Sequence, residues 1–392
     1  MGKIRVLFAK TEAGMGHIVP LTSIKETFEK EHGDEFEIIF SNFFVDSKNK
    51  DLLRFNDLLI NEVKKANKSH AYGFASTTLM NIAGTKLSSR FVMKWKERGV
   101  YKASLEYLED LKPDVVVSSH FSTNYYAEHM KDKPLTVVYS PDVQIIKLFS
   151  YKSDVTLTPV ECGYQKALKK RRFNPENLKL VDTCIKNEAI NNKLSKEEAA
   201  KELGIDSSKF TVCVADGGYG IGRALGILNE CMKLNLDLNL IIVCGKNEEM
   251  YNQLLKIKEQ NKTNVKIYPV SFKNYSLNYI ISADLFCGKA GANAIAEAVY
   301  FGKPVIVTGC ATQVELDNYK YYSKVVGCAV HISKAKKIVE KILELKNNKE
   351  EFERMSKNAL SIHENFGSKK ASDEIYKLIK EKLIQKNTKN EK

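Results

Sequence analysis

Apolar positions in this chain fall into short continuous runs, separated by longer stretches in which apolar and polar residues mix. Residues 4–9 open the series, followed by 36–40, 114–118 and 135–139. Runs of this kind, rich in Val and Ile and without strict alternation, predict strands buried on both faces, and the stretches between them suit crossover helices. The first helix is predicted to leave the turn Ala13-Gly14-Met15-Gly16-His17 and to run to about Lys30. Pro20 is placed in its first turn, where a missing N–H is tolerated. A long helical and irregular region then reaches about Leu111. Strands alternating with helices imply a parallel sheet.

Between residues 182 and 192 the rhythm pauses in a polar connector, and Ser195-Lys196-Glu197-Glu198 supplies a capping box for a helix ending near Gly204. The pattern restarts with strands at 210–215, 240–244, 265–270, 283–287 and 304–308, and a helix from about Asn293 to Phe301. The fold class expected is α/β, with two Rossmann-like doubly wound domains at 1–185 and 186–392. Beyond about Gln385 the second is expected to end in a disordered polar tail. The 392 residues exceed what one ordinary core accommodates.

Composition narrows the classes. No apolar run approaches the ~20 residues of a membrane-spanning helix, and Met1-Gly2-Lys3-Ile4-Arg5 leads straight into a strand, so neither a transmembrane helix nor a signal peptide is expected. Val6 stands where a myristoylation signal needs Ser or Thr. The eight cysteines lack C-x-x-C spacing and several sit in apolar runs. They are expected to be buried free thiols of a reducing cytoplasm, with no structural zinc. A net charge of +13 favours an anionic partner without choosing one. Its location says more: Lys86, Arg90, Lys94, Lys96, Arg98 and Lys102 face one anion, Glu97, with Phe91, Val92, Trp95 and Tyr101 interleaved. Such a segment suits a membrane interface or a nucleic-acid backbone. No recognised nucleic-acid module accompanies it, so an anionic membrane surface is the partner expected and nucleic acid is not. Lys94, Trp95, Lys96 and Arg98 are its candidate membrane and acceptor residues.

Three glycine turns follow predicted strands, where open parallel sheets bind ligands. The first, Gly14-x-Gly16-His17, has Val19 where a dinucleotide fingerprint needs Gly or Ala, which disfavours a nicotinamide enzyme. His17 at a helix start can act as a general base near neutral pH. The second, Asp216-Gly217-Gly218-Tyr219-Gly220-Ile221-Gly222, lets backbone amides approach a phosphate, but no Gly-Lys-Ser/Thr follows as in a P-loop. The third is Gly288-Lys289-Ala290-Gly291-Ala292-Asn293, leading into an Ala-rich helix with Glu297, then Gly302-Lys303-Pro304 and Gln313 to Asn318. A carboxylate on so apolar a helix needs hydrogen-bond donors, such as ribose hydroxyls, or else a solvated face.

From Ile4 to about Val330 the chain resembles the GT-B glycosyltransferases. It resembles especially the family of the lipid II N-acetylglucosamine transferase, the galactolipid synthases and the diacylglycerol glucosyltransferases. The likeness rests on the glycine turn ending in His17 and on Ala283-Asp284, an apolar stretch, Lys289-Ala290-Gly291, a helix with Glu297, and Gly302-x-Pro304. It implies two domains facing a cleft and a UDP-sugar donor. Gly16, Gly217, Gly218 and Gly220 would serve the donor's phosphate region, Phe272 its base, Gly291 and Asn293 its diphosphate, Glu297 its ribose, and Gln313, Glu315 and Asn318 its sugar. Asn293 replaces the family's usual small hydroxyl residue, and Gln313-Val314-Glu315 loosens its Gln-Glu pair. Asp142, after the 135–139 strand, stands near where the lipid-glycosylating enzymes carry Thr-Asp. Gly16-His17-Ile18-Val19-Pro20 also resembles the small-aglycone branch, whose base histidine is backed by an Asp. Here that strand ends instead in Ser118-Ser119-His120.

The implied activity is transfer of a hexose from a UDP-sugar to a hydrophobic, lipid-like acceptor with inversion. His17 or Asp142 would be general base, with no metal and no cofactor beyond the donor. The enzyme would be cytoplasmic, peripheral on the inner face of the cell membrane. A soluble small aglycone, or an epimerase or hydrolase of the same fold, is the alternative.

Overall fold

The computed structural model describes residues 3–12, 15–83, 88, 91–151, 153–170, 173–217 and 222–390. The chain divides into two compact units. One comprises Met1–Ala66, Tyr72–Asn187 and Asn365–Lys392, the other Asn67–Ala71 and Glu188–Glu364.

Unit 1 is built on six parallel strands, β1 (Ile4–Lys10), β2 (Phe36–Asn42), β3 (Val115–Ser118), β4 (Leu135–Tyr139), β5 (Val155–Thr158) and β6 (Leu178–Leu180), in the order β2-β1-β3-β4-β5-β6. Val6 is in register with both Ile38 and Val115, so β1 has a neighbour on each side, and its residues Val6, Leu7, Phe8 and Ala9 are fully buried. One sheet face packs Val6 and Phe8 against Leu21, Ile24 and Phe28 of helix α1 (Met15–His32). The other packs Leu7 and Val116 against Phe43, Phe44, Val100 and Leu108. Helices α2 (Lys50–Lys68), α3 (His70–Ala83), α4 (Arg98–Leu111) and α5 (Phe121–Ala127) belong to this half of the sequence.

Pro20 corrects one expectation: α1 starts at Met15, which places the proline in the second turn rather than the first. The bond it forfeits is the one that would run to Gly16, in the opening turn. β5 and β6 were hidden by their brevity and by the polar residues of the second.

The C-terminal residues correct a second expectation. Residues 365–392 fold onto unit 1, not unit 2. A helix, Lys369–Asn390, continues past Gln385 where a disordered tail was expected, and buries Ala371, Ile375 and Ile379 in the same cluster as α1. Their spacing of four is one helical stripe. Thr183 bridges Phe366, and Gly367 N–H donates to the Thr183 carbonyl, which ties the outgoing and returning strands of the chain together.

Unit 2 repeats the architecture with β7 (Thr211–Ala215), β8 (Asn239–Gly245), β9 (Lys266–Ser271), β10 (Leu285–Lys289), β11 (Val305–Gly309) and β12 (Ala329–His331), all parallel, in the order β12-β11-β10-β7-β8-β9. Its crossovers include α6 (Ala224–Lys233), α7 (Glu248–Gln260), α8 (Ala292–Tyr300) and α9 (Gln313–Lys320). The capping box at Ser195 is present in both directions, and Gly204 past the helix end takes a φ of +64°. Gly302-Lys303-Pro304 lies at the start of β11, the opposite sheet edge from the glycine turns. Gly302 has a φ of +70°, and Lys303 N–H closes the end of α8 on Ala298. That part of the motif is architecture.

Seven of the eight free cysteines are buried. Cys162 is exposed, against expectation, because it sits in the first turn of a surface helix.

Ile375→Ala should cost unit 1 about 2–5 kcal/mol, as for a buried isoleucine truncated in a packed cluster. Urea unfolding followed by circular dichroism should show that loss, whereas Lys377→Ala on the exposed side of the same helix should stay within about 0.5 kcal/mol of the parent.

Candidate active site and donor site

The carboxyl ends of β1, β3 and β4 are neighbours in the first sheet, and the residues expected to be catalytic follow them. His17 lies in the first turn of α1, half-buried. Its Nδ1 is 2.6 Å from the Ser119 carbonyl, just beyond β3, and the Ser119 hydroxyl donates back to the His17 carbonyl. A carbonyl only accepts, so Nδ1 carries the proton of the neutral ring and Nε2 keeps its lone pair. Burial pushes the His17 pKa below its ordinary value, and the Ser119 carbonyl offsets part of that shift. Asp142 follows β4 by three residues and is half-buried.

His120 is a neighbour of His17 to which the sequence reading gave no role. It stands beside His17 with ring centroids 5.3 Å apart and planes at 84°. It also caps α5: Nδ1 accepts from the Ser122 backbone N–H at 3.4 Å and lies 2.7 Å from the Ser122 hydroxyl. With Nδ1 accepting, the neutral ring carries its proton on Nε2. Burial, and then the proximity of His17, push its pKa down to about 3, so His120 is neutral. A polar residue where a strand ends and a helix begins was the signal available.

In unit 2 the glycine turn after β7 is organised by Asp216, which is almost fully buried. Its carboxylate accepts from the Thr308 hydroxyl at 2.8 Å and from the Arg223 N–H at 2.7 Å. Thr308 is on β11, two strands away, and the strand between, β10, is bare at Gly288. A Cβ there would come within 2.4 Å of the Ala215 carbonyl, and one on Gly222 within 2.1 Å of Asp216. Gly217 takes a φ of +85°. Burial raises the Asp216 pKa, against hydrogen bonds from Thr308 and Arg223 and the charge of Lys289. Gly218 and Gly220 lie outside the described residues.

Gly291 is the N-cap residue of α8 and, like Arg223 ahead of α6, supplies no capping side chain. A Cβ on Gly291 would meet nothing within 4 Å. By contrast α7 and α9 are capped by Asn247 and Thr312. Asn293 follows in the first turn of α8, half-buried. Glu297 is buried on α8 beside Tyr275, whose hydroxyl bonds it and whose pKa is raised well above the usual value, first by burial and then by that carboxylate. Phe272, just past β9, is 45% exposed with the Lys246 ammonium 5.4 Å from its ring centre. Lys289 ends β10 half-buried, its pKa lowered by burial against the charges of Glu315 and Asp216.

The residues after β11 are engaged with backbone. Glu315 accepts from the Ala311 N–H while its own N–H donates to Oγ1 of the N-cap residue Thr312 at 3.2 Å. Asn318 is buried and donates to the Ala290 carbonyl at 3.3 Å, which holds the third glycine turn. Gln313 donates to Asp317 at 3.2 Å. A cavity of about 250 Å³ opens between the starts of α6 and α7, lined by Gly222, Leu225, Asn247 and Met250, and takes in none of the expected donor residues.

The basic segment is described in part. Lys94 sits in the π-helical turn Phe91–Lys96 with its ammonium 5.5 Å from the Tyr101 ring centre, and Arg98 is exposed at the start of α4. The side chains of Trp95 and Lys96, and all of Lys86 and Arg90, lie outside the described residues. Glu97 is paired with Arg54 at 2.8 Å. Leu79, Met80, Phe91 and Val92 are exposed, an apolar content richer than charge patterning alone revealed. Among the described residues no helix is long and apolar enough to cross a membrane. The group among them with spacing suited to a metal ion, Glu31, His32 and Asp373, already holds the Lys369 ammonium at 3.1 and 3.0 Å from its two carboxylates.

Comparison with known proteins bears on the fold and the family. Residues 183–375 match the glycosyltransferase family 28 C-terminal domain. Monogalactosyldiacylglycerol synthase 1 of Arabidopsis thaliana is 22% identical over 96% of this chain and 72% of its own length. Processive diacylglycerol beta-glucosyltransferase of Bacillus pumilus is 23% identical over 46% of each. A solved UDP complex of S. aureus MnaA superimposes with a TM-score of 0.59 over 98% of this chain and 97% of its own, at 15% identity, a likeness of fold. The chain is a GT-B glycosyltransferase of the group that holds these galactolipid and glucolipid synthases.

Proposed function

We propose that the protein transfers a hexose from a UDP-sugar to a lipid acceptor, inverting the anomeric centre. The observation that carries this is α8, which starts at Gly291 with no capping side chain from its N-cap residue, at the end of β10 and next to the strand β7 that leads into the second glycine turn. The N-terminal amides of such a helix and the positive end of its dipole suit a diphosphate. Around them stand an exposed aromatic for a base, Phe272, and a buried carboxylate for ribose hydroxyls, Glu297. Gly16, Gly217, Gly218, Gly220, Gly291 and Asn293 serve the phosphates, and Gln313, Glu315 and Asn318 the sugar side. The relatives named for galactolipid and glucolipid synthesis support a lipid acceptor.

In this reading His17 Nε2 accepts the proton of the acceptor hydroxyl as that oxygen bonds to the anomeric carbon and the bond to UDP breaks. Base assistance contributes about 10²–10⁴-fold. Amides of the glycine turns and helix starts, with Lys289, answer the charge that grows on the departing diphosphate. Asp142 is the second candidate base. Exposed Leu79, Met80, Phe91 and Val92, with Lys94, Trp95, Lys96 and Arg98, hold the enzyme on an anionic membrane surface as a peripheral protein of the cytoplasmic face.

Incubation with a panel of labelled UDP-hexoses and diacylglycerol should yield a labelled glycolipid; free sugar or an epimer alone would point to the hydrolase or epimerase instead. Glu297→Ala should weaken UDP-sugar binding by about 1.5–3 kcal/mol, roughly tenfold or more, in calorimetry. Unchanged affinity would take Glu297 out of the ribose role.

Sedimentation with vesicles containing phosphatidylglycerol should fall as salt rises, since each well-placed cation contributes about 1 kcal/mol near an acidic surface. Joint replacement of Lys94, Lys96 and Arg98 by Ser, or of Leu79 and Phe91 by Ser, should reduce it while UDP binding persists. A parent protein indifferent to anionic vesicles would end the membrane reading.

A further inference from the structure

A base histidine of the small-aglycone type is backed by a carboxylate, and here β3 is followed by Ser119 and His120 instead. We propose that these two residues replace that carboxylate: the Ser119 carbonyl fixes the proton on His17 Nδ1, and the His120 ring, packed against His17, is a positioning residue that shields it from water. The inference rests on His17 being the general base.

The chemistry differs from that of a carboxylate-backed imidazole. A carboxylate would stabilise the imidazolium and raise the pKa of the base, whereas a neutral carbonyl orients the ring with less stabilisation of the charged form. His120 cannot supply a negative charge, and its own Nδ1 is committed to Ser122. What it supplies is bulk at 5.3 Å, at near right angles to the His17 ring. Among the described residues His120 is the titratable group set against His17. Glu12, on the same turn, is drawn away by the amides of Asn42 at 2.9 Å and Asn56 at 3.4 Å, and Asp142 follows the next strand. The outcome is a base that stays unprotonated into mildly acid solution.

The sign of the effect makes the idea testable. Removing the His120 ring admits water to His17, stabilises its imidazolium and raises its pKa, so the acid limb of activity moves to higher pH. We expect His120→Ala to raise the His17 titration midpoint, read by ¹⁵N NMR of histidine-labelled full-length protein, by about half a pH unit or more. The acid limb of kcat/KM, with UDP-galactose or UDP-glucose and diacylglycerol in mixed micelles, should rise by the same amount. His120→Phe keeps the bulk and should stay near the parent on both readouts, which separates shielding from loss of the α5 cap. His17→Gln identifies the His17 signals. An unmoved midpoint in a folded His120→Ala protein, equal shifts in the Ala and Phe variants, or a parent His17 protonated on Nε2 would overturn the proposal. A midpoint that moves while the acid limb stays put would remove His17 as the base instead.

Discussion

A parallel strand flanked by neighbours spends its backbone donors and acceptors on the ladder and both side-chain faces on helices. Such a strand has nothing left with which to do chemistry. Both sheets of this protein are of that kind, with β1, β3, β4, β7 and β10 almost wholly buried. The candidate site residues accordingly lie where strands stop. His17, Ser119 and Asp142 follow β1, β3 and β4; Asp216, Phe272, Gly291 and Gln313 follow β7, β9, β10 and β11.

That arrangement explains what was readable beforehand. Runs such as Val115–Ser118 and Leu135–Tyr139 announce themselves because a strand buried on both faces must be continuously apolar. The capping box at Ser195 was equally plain, since its two bonds depend on residues three apart. β6, with Lys179 between two leucines, carries no such run. Glu297 could be singled out because a carboxylate among alanines asks for an explanation, and the chain buries it. Its partner Tyr275 could not, being distant in sequence and set there by the fold.

The least legible part of the site is the most local in character. His120 reads as an ordinary strand-end residue until the turn of α1 is laid beside it, and only then do its capping bond to Ser122 and its packing on His17 share one ring. Asp216 was visible as the first residue of a glycine turn. Its reach over the bare Gly288 to Thr308 depends on a strand order, β11-β10-β7, that no periodicity encodes. Gly222 and Gly288 thus leave room for a buried carboxylate that a side chain at either position would crowd.

The helix Lys369–Asn390 has a bearing on biosynthesis. Residues 1–187 leave the ribosome before residues 188–364, yet the cluster that Phe8, Phe28 and Tyr139 share with Ala371, Ile375 and Ile379 cannot be completed until both stretches have been made. At roughly 5–20 residues per second, that surface stays uncovered for on the order of ten seconds or more. Unit 2 meanwhile emerges with its own sheet complete. Unit 1 is thus completed only after unit 2 has been made, and until then the nascent chain carries an open apolar seam that chaperones can hold.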